Sequence, residues 1–203
     1  MRCMMLVVAL SAAPACADVF NGGFELPGTG FQSVGAGATF GGWTCAGPSG
    51  IEFVHATPSA QLPGLEASAY EGQYWIDLTG VGAPSGIYQD LVTTAGVQYE
   101  VSFAMAGNVW SGAQIMNMNV LWNGGVAGSF SHNTAGRTAF DMGWTVHTVT
   151  VVGTGSDRLQ FQGLSGSQAA GVALDAVAMR VVPAPVSAGV LAVGGMLLAR
   201  RRR

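Results

Sequence analysis

Two short stretches set an aromatic ring one residue away from a polar side chain: Trp75 and Asp77 in "YWIDLTG", and Asn108 and Trp110 in "GNVW". A flat ring beside a carboxylate or amide is the chemistry that holds a sugar. The ring stacks on the apolar face of the pyranose, and the polar groups take its hydroxyls. Trp75, Asp77, Asn108 and Trp110 are therefore the candidate ligand-binding set, with the two tryptophans as the rings to test. Trp122 instead belongs to an apolar alternation and is expected in the core.

Catalysis finds less support. His55, His132 and His147 stand at no metal-ligand spacing, and the chain has no H-E-x-x-H, C-x-x-C or G-x-S-x-G. "GLSGS" at Gly163 comes nearest to a nucleophile elbow but ends in Ser167 where a glycine is needed. Paired carboxylates for glycoside hydrolysis would have to converge from distant strands. Glycine-rich stretches precede no helix, so they read as turns and not as phosphate cradles. No catalytic residue is assigned, and the protein is expected not to be an enzyme.

The elements that must position the candidates read as strands. In "VQYEVSFAM", Val97, Tyr99, Val101, Phe103 and Met105 alternate with Gln98, Glu100, Ser102 and Ala104, a period of two with one apolar face. "MNMNVLW" and "DRLQFQGL" repeat the pattern, with Asn117, Asn119, Gln160 and Gln162 on the wetter side. Further strands are expected at "IEFVHA", "YWIDLTG", "GIYQDLVT", "WTVHTVTVV" and "VALDAVAMRVV". In the strand from Tyr74, Trp75 shares a face with Asp77 and Thr79, opposite Tyr74, Ile76 and Leu78. Glycine-rich turns such as "NGG" and "GTGSD" separate the strands. Eight to ten such strands predict an all-β fold: a two-sheet antiparallel β-sandwich, of the jelly-roll kind.

Composition agrees: 31 glycines, 9% charged residues and no lysine in 203 residues. Both ends depart from the body. Met1 and Arg2 precede "CMMLVVALSAA", and "ACA" at residues 15–17 has the small-x-small form of a cleavage site, so 1–17 is expected to be a signal helix and Asp18 the mature start. A lipoprotein reading would use Cys16, but Ala13 stands where a leucine is usual. Cys45 then remains alone, and it is expected to be a buried hydrophobe and not a nucleophile. Between Asp18 and Val181, three arginines face eleven carboxylates, a net charge of −8, which repels nucleic acid and anionic lipid. The other arginines sit at the two extremes, and basic clusters stay on the cytoplasmic side.

The tail "VPAPVSAGVLAVGGMLLARRRR" spans 182–203. Its apolar run is shorter than the ~20 residues of a comfortable bilayer span. The order of Val182, Pro183, Ala184 and Pro185, a short apolar helix, and Arg200, Arg201, Arg202 and Arg203 resembles the bacterial PEP-CTERM sorting signal. That resemblance implies a membrane protease, exosortase, as partner and a transient membrane anchor that is later cut. Ala184 stands where the family most often has Glu, which leaves room for a variant enzyme. A plain tail anchor is disfavoured by the short run and by Gly194 and Gly195.

The body, 18–181, carries "NGGFE" at Asn21, "GW" at Gly42, "EGQYWIDLTG" at Glu71, "GIYQDLVTTAGVQYEVSFAMAGN" at Gly86, "GWTVHTVTV" at Gly143 and "LDAV" at Leu174. In this order the motifs resemble the choice-of-anchor C family, itself similar to galactose-binding-like carbohydrate-binding modules. The resemblance implies core positions for Trp43 and Trp144. It also implies one structural Ca²⁺ with Glu25 and Asp175 as side-chain ligands and backbone carbonyls completing the oxygen shell. The alternative is that Asp175 only accepts backbone hydrogen bonds and Glu25 is solvated. The expected function is that of an exported, non-catalytic surface or exopolysaccharide-associated protein that binds extracellular or cell-wall polysaccharide. The second reading is a structural envelope or biofilm matrix protein without a defined ligand.

Overall fold

The computed structural model describes residues 18–28, 30–56, 67–112, 114–167 and 170–183. The signal segment and the sorting signal from Ala184 onward lie outside the described residues.

The strands, in chain order, are β1 (Gln32–Val34), β2 (Thr39–Phe40), β3 (Trp43–Ala46), β4 (Ile51–His55), β5 (Tyr74–Asp77), β6 (Gly86–Val92) and β7 (Gln98–Gly107). They continue as β8 (Ile115–Trp122), β9 (Gly125–Asn133), β10 (Thr145–Val152), β11 (Ser156–Gly163), β12 (Gly166–Ser167) and β13 (Ala170–Val181). Among the described residues the only helical piece is a 3-10 turn at Val109–Ser111. All eight strands expected from alternation are present. The thirteen segments exceed the eight to ten expected. β1, β2, β3 and β12 are too short to show a period, and glycines break the pattern in β9.

The strands form two antiparallel sheets. The first has the order β1-β4-β5-β13-β7-β10, with β12 beside β13, and the second β2-β3-β6-β11-β8-β9. This is the two-sheet antiparallel sandwich expected from the sequence. The period of two sends Phe53, Tyr74, Ile76, Tyr99, Val101, Phe103 and Leu174 inward from the first sheet. Trp43, Ile87, Met116, Met118, Leu159 and Phe161 meet them from the second. Phe103 packs edge-on against Phe161 with centroids 5.2 Å apart, a geometry that adds electrostatic attraction to the burial. Each of these rings contributes about 1.5–3 kcal/mol by leaving water.

A second, smaller cluster lies on the outer side of the first sheet. Val54, Trp75, Ala106 and Ala173 project there and are covered by Ala67 and Met142, with Phe31, Val109 and Trp144 at the margin. Among the described residues the outer side of the second sheet has no such cluster. The two outer surfaces therefore face different environments.

Candidate functional site

Trp75 and Asp77 both point to the outer side of the first sheet, as the alternation predicts. Their neighbours decide what they do there. The Trp75 ring is 0% exposed. Its Nε1 donates to the Ala67 carbonyl at 3.0 Å, and Trp144 packs against it nearly perpendicular at 6.1 Å. Trp144 in turn donates Nε1 to the Ser68 carbonyl at 2.9 Å. Trp75 is thus a core residue of the small cluster and not a stacking platform, which corrects the expectation. A period of two states which face a side chain takes, but it carries nothing about a distant loop that covers the face.

Asp77 and Asn108 are likewise internal. Asp77 is fully buried and accepts from Thr79 N at 2.8 Å, Asn108 Nδ2 at 2.7 Å and Gly171 N at 3.0 Å. Gly171 is required at this closeness, because a Cβ there would stand 1.9 Å from Thr79 Oγ1. Asn108 is also buried, and its Oδ1 accepts from Trp110 N, which caps the 3-10 turn. The pair is a clasp joining β5, the end of β7 and the start of β13. Beside it, Glu52 lies directly opposite Asp77 across β4 and β5. Burial pushes both carboxyls up to about 7, and the Asp77 charge adds to the rise at Glu52. Of the four candidates only Trp110, at 45% exposure, presents its ring to solvent.

Glu25 and Asp175 act on one segment of chain. Glu25 Oε1 accepts from Gln73 N at 2.8 Å and Tyr74 N at 3.1 Å. Asp175 Oδ2 accepts from Tyr70 N at 2.9 Å and Glu71 N at 3.1 Å, while its Oδ1 accepts from Ala176 N at 2.7 Å. The two carboxylates therefore fasten residues 70–74 to the N-terminal segment and to β13. Burial pushes Asp175 up to about 7 against the lowering effect of these donors, and the Glu71 charge raises it further. Among the described residues no three His, Cys, Asp or Glu side chains are grouped to hold a metal ion. An ion at Glu25 and Asp175 would need backbone carbonyls for most of its shell.

The outer side of the second sheet is built differently. Residues directly opposite in a ladder share a face, and the register aligns two polar rows across it. One row runs Ala46, Gly86, Gln162, Asn119, Ser129, and the next Thr44, Tyr88, Gln160, Leu121. Ser129 Oγ donates to Asn119 Oδ1 at 2.7 Å, which orients that amide. At one end Arg158 reaches Asp90 through two hydrogen bonds of 2.7 and 2.8 Å and lays its guanidinium 3.8 Å from the Tyr88 centroid. The ring is braced by this stack. Gln160 and Gln162 are half-buried, yet neither side-chain amide makes a hydrogen bond among the described residues. Half-buried amides with unused donors and acceptors on a sheet face are available to an outside partner.

This face escaped the sequence reading, although its signal was present. Asn117, Asn119, Gln160 and Gln162 were legible as the wet side of two strands, but nothing in the sequence makes those strands neighbours. The remaining reactive groups are structural. Burial pushes the Cys45 thiol up to about 11, and its Sγ lies 3.7 Å from the Val34 carbonyl. Desolvation holds His132 and His147 below the usual histidine range, the first against the Met142 carbonyl, the second between the rings of Phe103 and Phe130.

No family model and no curated protein sequence matches the chain. Solved structures do resemble it. The CBM22-1–CBM22-2 tandem domain from Paenibacillus barcinonensis Xyn10C is 17% identical, with a TM-score of 0.50, and the match covers 88% of this chain and 50% of that one. The CBM22-1 xylan-binding domain of the same protein is 17% identical over 76% of this chain and 94% of its own, with a TM-score of 0.46. TmCBM61 in complex with β-1,4-galactotriose is 21% identical over 80% and 96%, with a TM-score of 0.49. At such identities the likeness is one of fold.

Proposed function

We propose that the protein is a non-catalytic carbohydrate-binding module whose ligand lies across the outer face of the second sheet. The observation that carries this reading is the unused hydrogen-bonding capacity of Gln160 and Gln162, set in register with Asn119 and Tyr88 on three adjacent strands. A polysaccharide offers a regular array of hydroxyls that such rows can take, and the braced Tyr88 ring supplies an apolar edge. Among the described residues the ion pair on this face is Arg158 with Asp90, which neutralises itself, so the face suits an uncharged glycan. The sandwich shared with carbohydrate-binding modules supports the reading. Retention of the chain on immobilised polysaccharides tests it: saturable, sugar-competed binding that falls on replacing Gln160 and Gln162 by Ala is expected. Binding unchanged by both replacements, or no binding to any glycan, overturns it and leaves a matrix role without a defined ligand.

The same reading includes export and trimming. The tail resembles a PEP-CTERM signal and the body a choice-of-anchor C domain, so an exosortase-type protease is the expected partner at the cell surface. Loss of mass beyond about Pro185 in surface-extracted protein supports this, and an intact Arg203 contradicts it. One structural Ca²⁺ is part of the proposal as well. Glu25 and Asp175 would hold it, and an ion would relieve the unfavourable charge of a buried Asp175 beside Glu71. Native-state binding would raise the melting temperature as calcium rises. Equal melting in chelator and in millimolar calcium would leave both carboxylates as backbone anchors.

A further inference from the structure

The tail begins inside the fold. Val182, its first residue, donates its N–H to the Gln98 carbonyl at 2.9 Å, which carries the β13–β7 pairing one step beyond Val181. Only Pro183, Ala184 and Pro185 then separate the first sheet from the apolar stretch that starts at Val186 and runs to the four terminal arginines. The chain from Val182 to Val186, fully extended, spans at most about 14 Å. Where that stretch is held in a bilayer with its arginines on the far side, the end of the sandwich that carries Val182 comes to lie at the headgroups, a layer roughly 5–7 Å thick beside the hydrocarbon.

That end is one connected surface. The turn from β6 to β7 and the turn from β10 to β11 are joined by hydrogen bonds: Thr93 N to Gly155 O at 3.1 Å, Gly96 N to Gly153 O at 2.9 Å and Gly153 N to Val97 O at 2.9 Å. Gly153 is required at this approach, because a Cβ there would stand 2.5 Å from the Thr94 carbonyl oxygen. Val92, 77% exposed, and Val152, 48% exposed, flank the joined turns. Residues 93–97 and 153–156 include no Asp, Glu, Lys or Arg. Asp157 behind them is buried and spent on Thr93, Thr154 and Asn123. The next ionised groups are paired, Asp90 with Arg158 at 2.7 Å and Glu100 with Arg180 at 2.7 Å. The opposite end also exposes apolar side chains, Val81, Ile115 and Phe140. It lies the length of β13 away, roughly 35 Å, which is beyond the reach of the tail.

We propose that this end is the membrane-facing surface of the protein, seated on the headgroups of a bilayer while the tail is held there. The proposal rests on the reading of the tail as a membrane-held sorting signal. The short tether selects the end, and Val92 and Val152 enter the interface without drawing any unpaired charge among the described residues out of water. The seat stands both sheets on their strand ends, so the outer face of the second sheet looks sideways and stays open to a polysaccharide. Trimming beyond Pro185 removes the tether, and two exposed valines bury too little area to hold the body on the membrane without it.

Phosphatidylcholine vesicles with a nitroxide on part of their headgroups test the seat on the exported chain with its tail intact, because a nitroxide quenches tryptophan fluorescence only at short range. Trp122, which donates Nε1 to the Val152 carbonyl at 3.0 Å, marks the seated end, and Trp110 on the 3-10 turn marks the opposite one. The chain is expected to float with the vesicles and to be quenched. Trp122→Phe is expected to lose most of that quenching and Trp110→Phe little of it. Val92→Asp combined with Val152→Asp is expected to weaken the quenching, while melting without vesicles stays as in the wild type because both side chains are exposed. A floating chain whose quenching is lost in Trp110→Phe and not in Trp122→Phe overturns the proposal. So does quenching that the two aspartates leave unchanged. A chain that does not float overturns the reading of the tail and the proposal with it, so flotation separates the two failures.

Discussion

The outer faces of the two sheets carry similar side chains to opposite ends. On the first sheet, Trp75, Asp77 and Asp175 lie under loops, and each polar group is spent within the protein: Asp77 on Thr79, Asn108 and Gly171, and Asp175 on Tyr70, Glu71 and Ala176. On the second, Tyr88, Gln160 and Gln162 are half-buried at the surface, and the two glutamine amides find no partner among the described residues. An aromatic ring with a neighbouring amide or carboxylate is thus no sign of a binding site by itself. What distinguishes a site from a support is whether its hydrogen bonds are already made. A buried polar group must be satisfied internally, because leaving it unmade costs about 1–3 kcal/mol, whereas a group at the surface can wait for a ligand.

The comparison breaks most readily at Trp75. Replacing it by Ala should cost roughly 3–5 kcal/mol through lost burial and a cavity. Thermal melting reads this loss, and glycan retention should fall only as far as the folded fraction falls. Melting like that of the wild type would mean that the first face is not sealed.

Next in size is the pH dependence of the sealed face. Asp77, Glu52 and Asp175 have folded pKa values raised to about 7, above their ordinary carboxylate range. The folded protein therefore binds protons more readily than the unfolded chain between about pH 4 and 7. Their contribution to stability is fully present below about pH 4 and is lost as pH rises through 7. His132 and His147 act in the opposite sense, favouring the folded state above about pH 6.5 and weakening it as pH falls. The carboxyl part is isolated by Glu52→Gln, which should flatten the fall in melting temperature between pH 5 and about pH 8. An unchanged slope would remove Glu52 from the account.

Smaller effects belong to the open face. Gln160→Ala and Gln162→Ala should each weaken glycan binding by about 0.5–1.5 kcal/mol, the net worth of a hydrogen bond. Stability should change by no more than about 0.5 kcal/mol, since neither amide has an internal partner. Titration against the best-retained polysaccharide, beside melting, separates the two quantities. A large loss of stability would place these amides with the sealed face.

The smallest effect is expected at Trp110. Its ring is half in solvent on the 3-10 turn, so Trp110→Ala should alter melting by less than about 1 kcal/mol. A marked loss of glycan binding in that variant would extend the binding surface from the second sheet to the end of the sandwich.

Much of the architecture is legible in the sequence. Alternation in "VQYEVSFAM" marks β7 almost to the residue, and "DRLQFQGL" marks β11 with Leu159 and Phe161 inward. The amphiphilic period also put Trp75 and Asp77 on one face correctly. It was less informative for β9, whose glycines blur the period, and for β1 and β2, which are too short to have one. The polar rows could not be seen at all, because Gln162 meets Asn119 and Gln160 meets Tyr88 only through a strand order that departs from chain order.

Local side-chain periodicity determined from the sequence alone that the chain forms strands, which residues turn inward, and that the result is two sheets packed face to face. Periodicity suffices for this because each strand must bury one face, and a neighbour at i+2 shares it. Only the tertiary structure decided which outer face is closed. Ala67 and Ser68 accept hydrogen bonds from Trp75 and Trp144, and Met142 covers the gap, so the cover is assembled from segments far apart in the chain. Burial is a property of everything that comes to lie against a surface, and no stretch of sequence carries it alone.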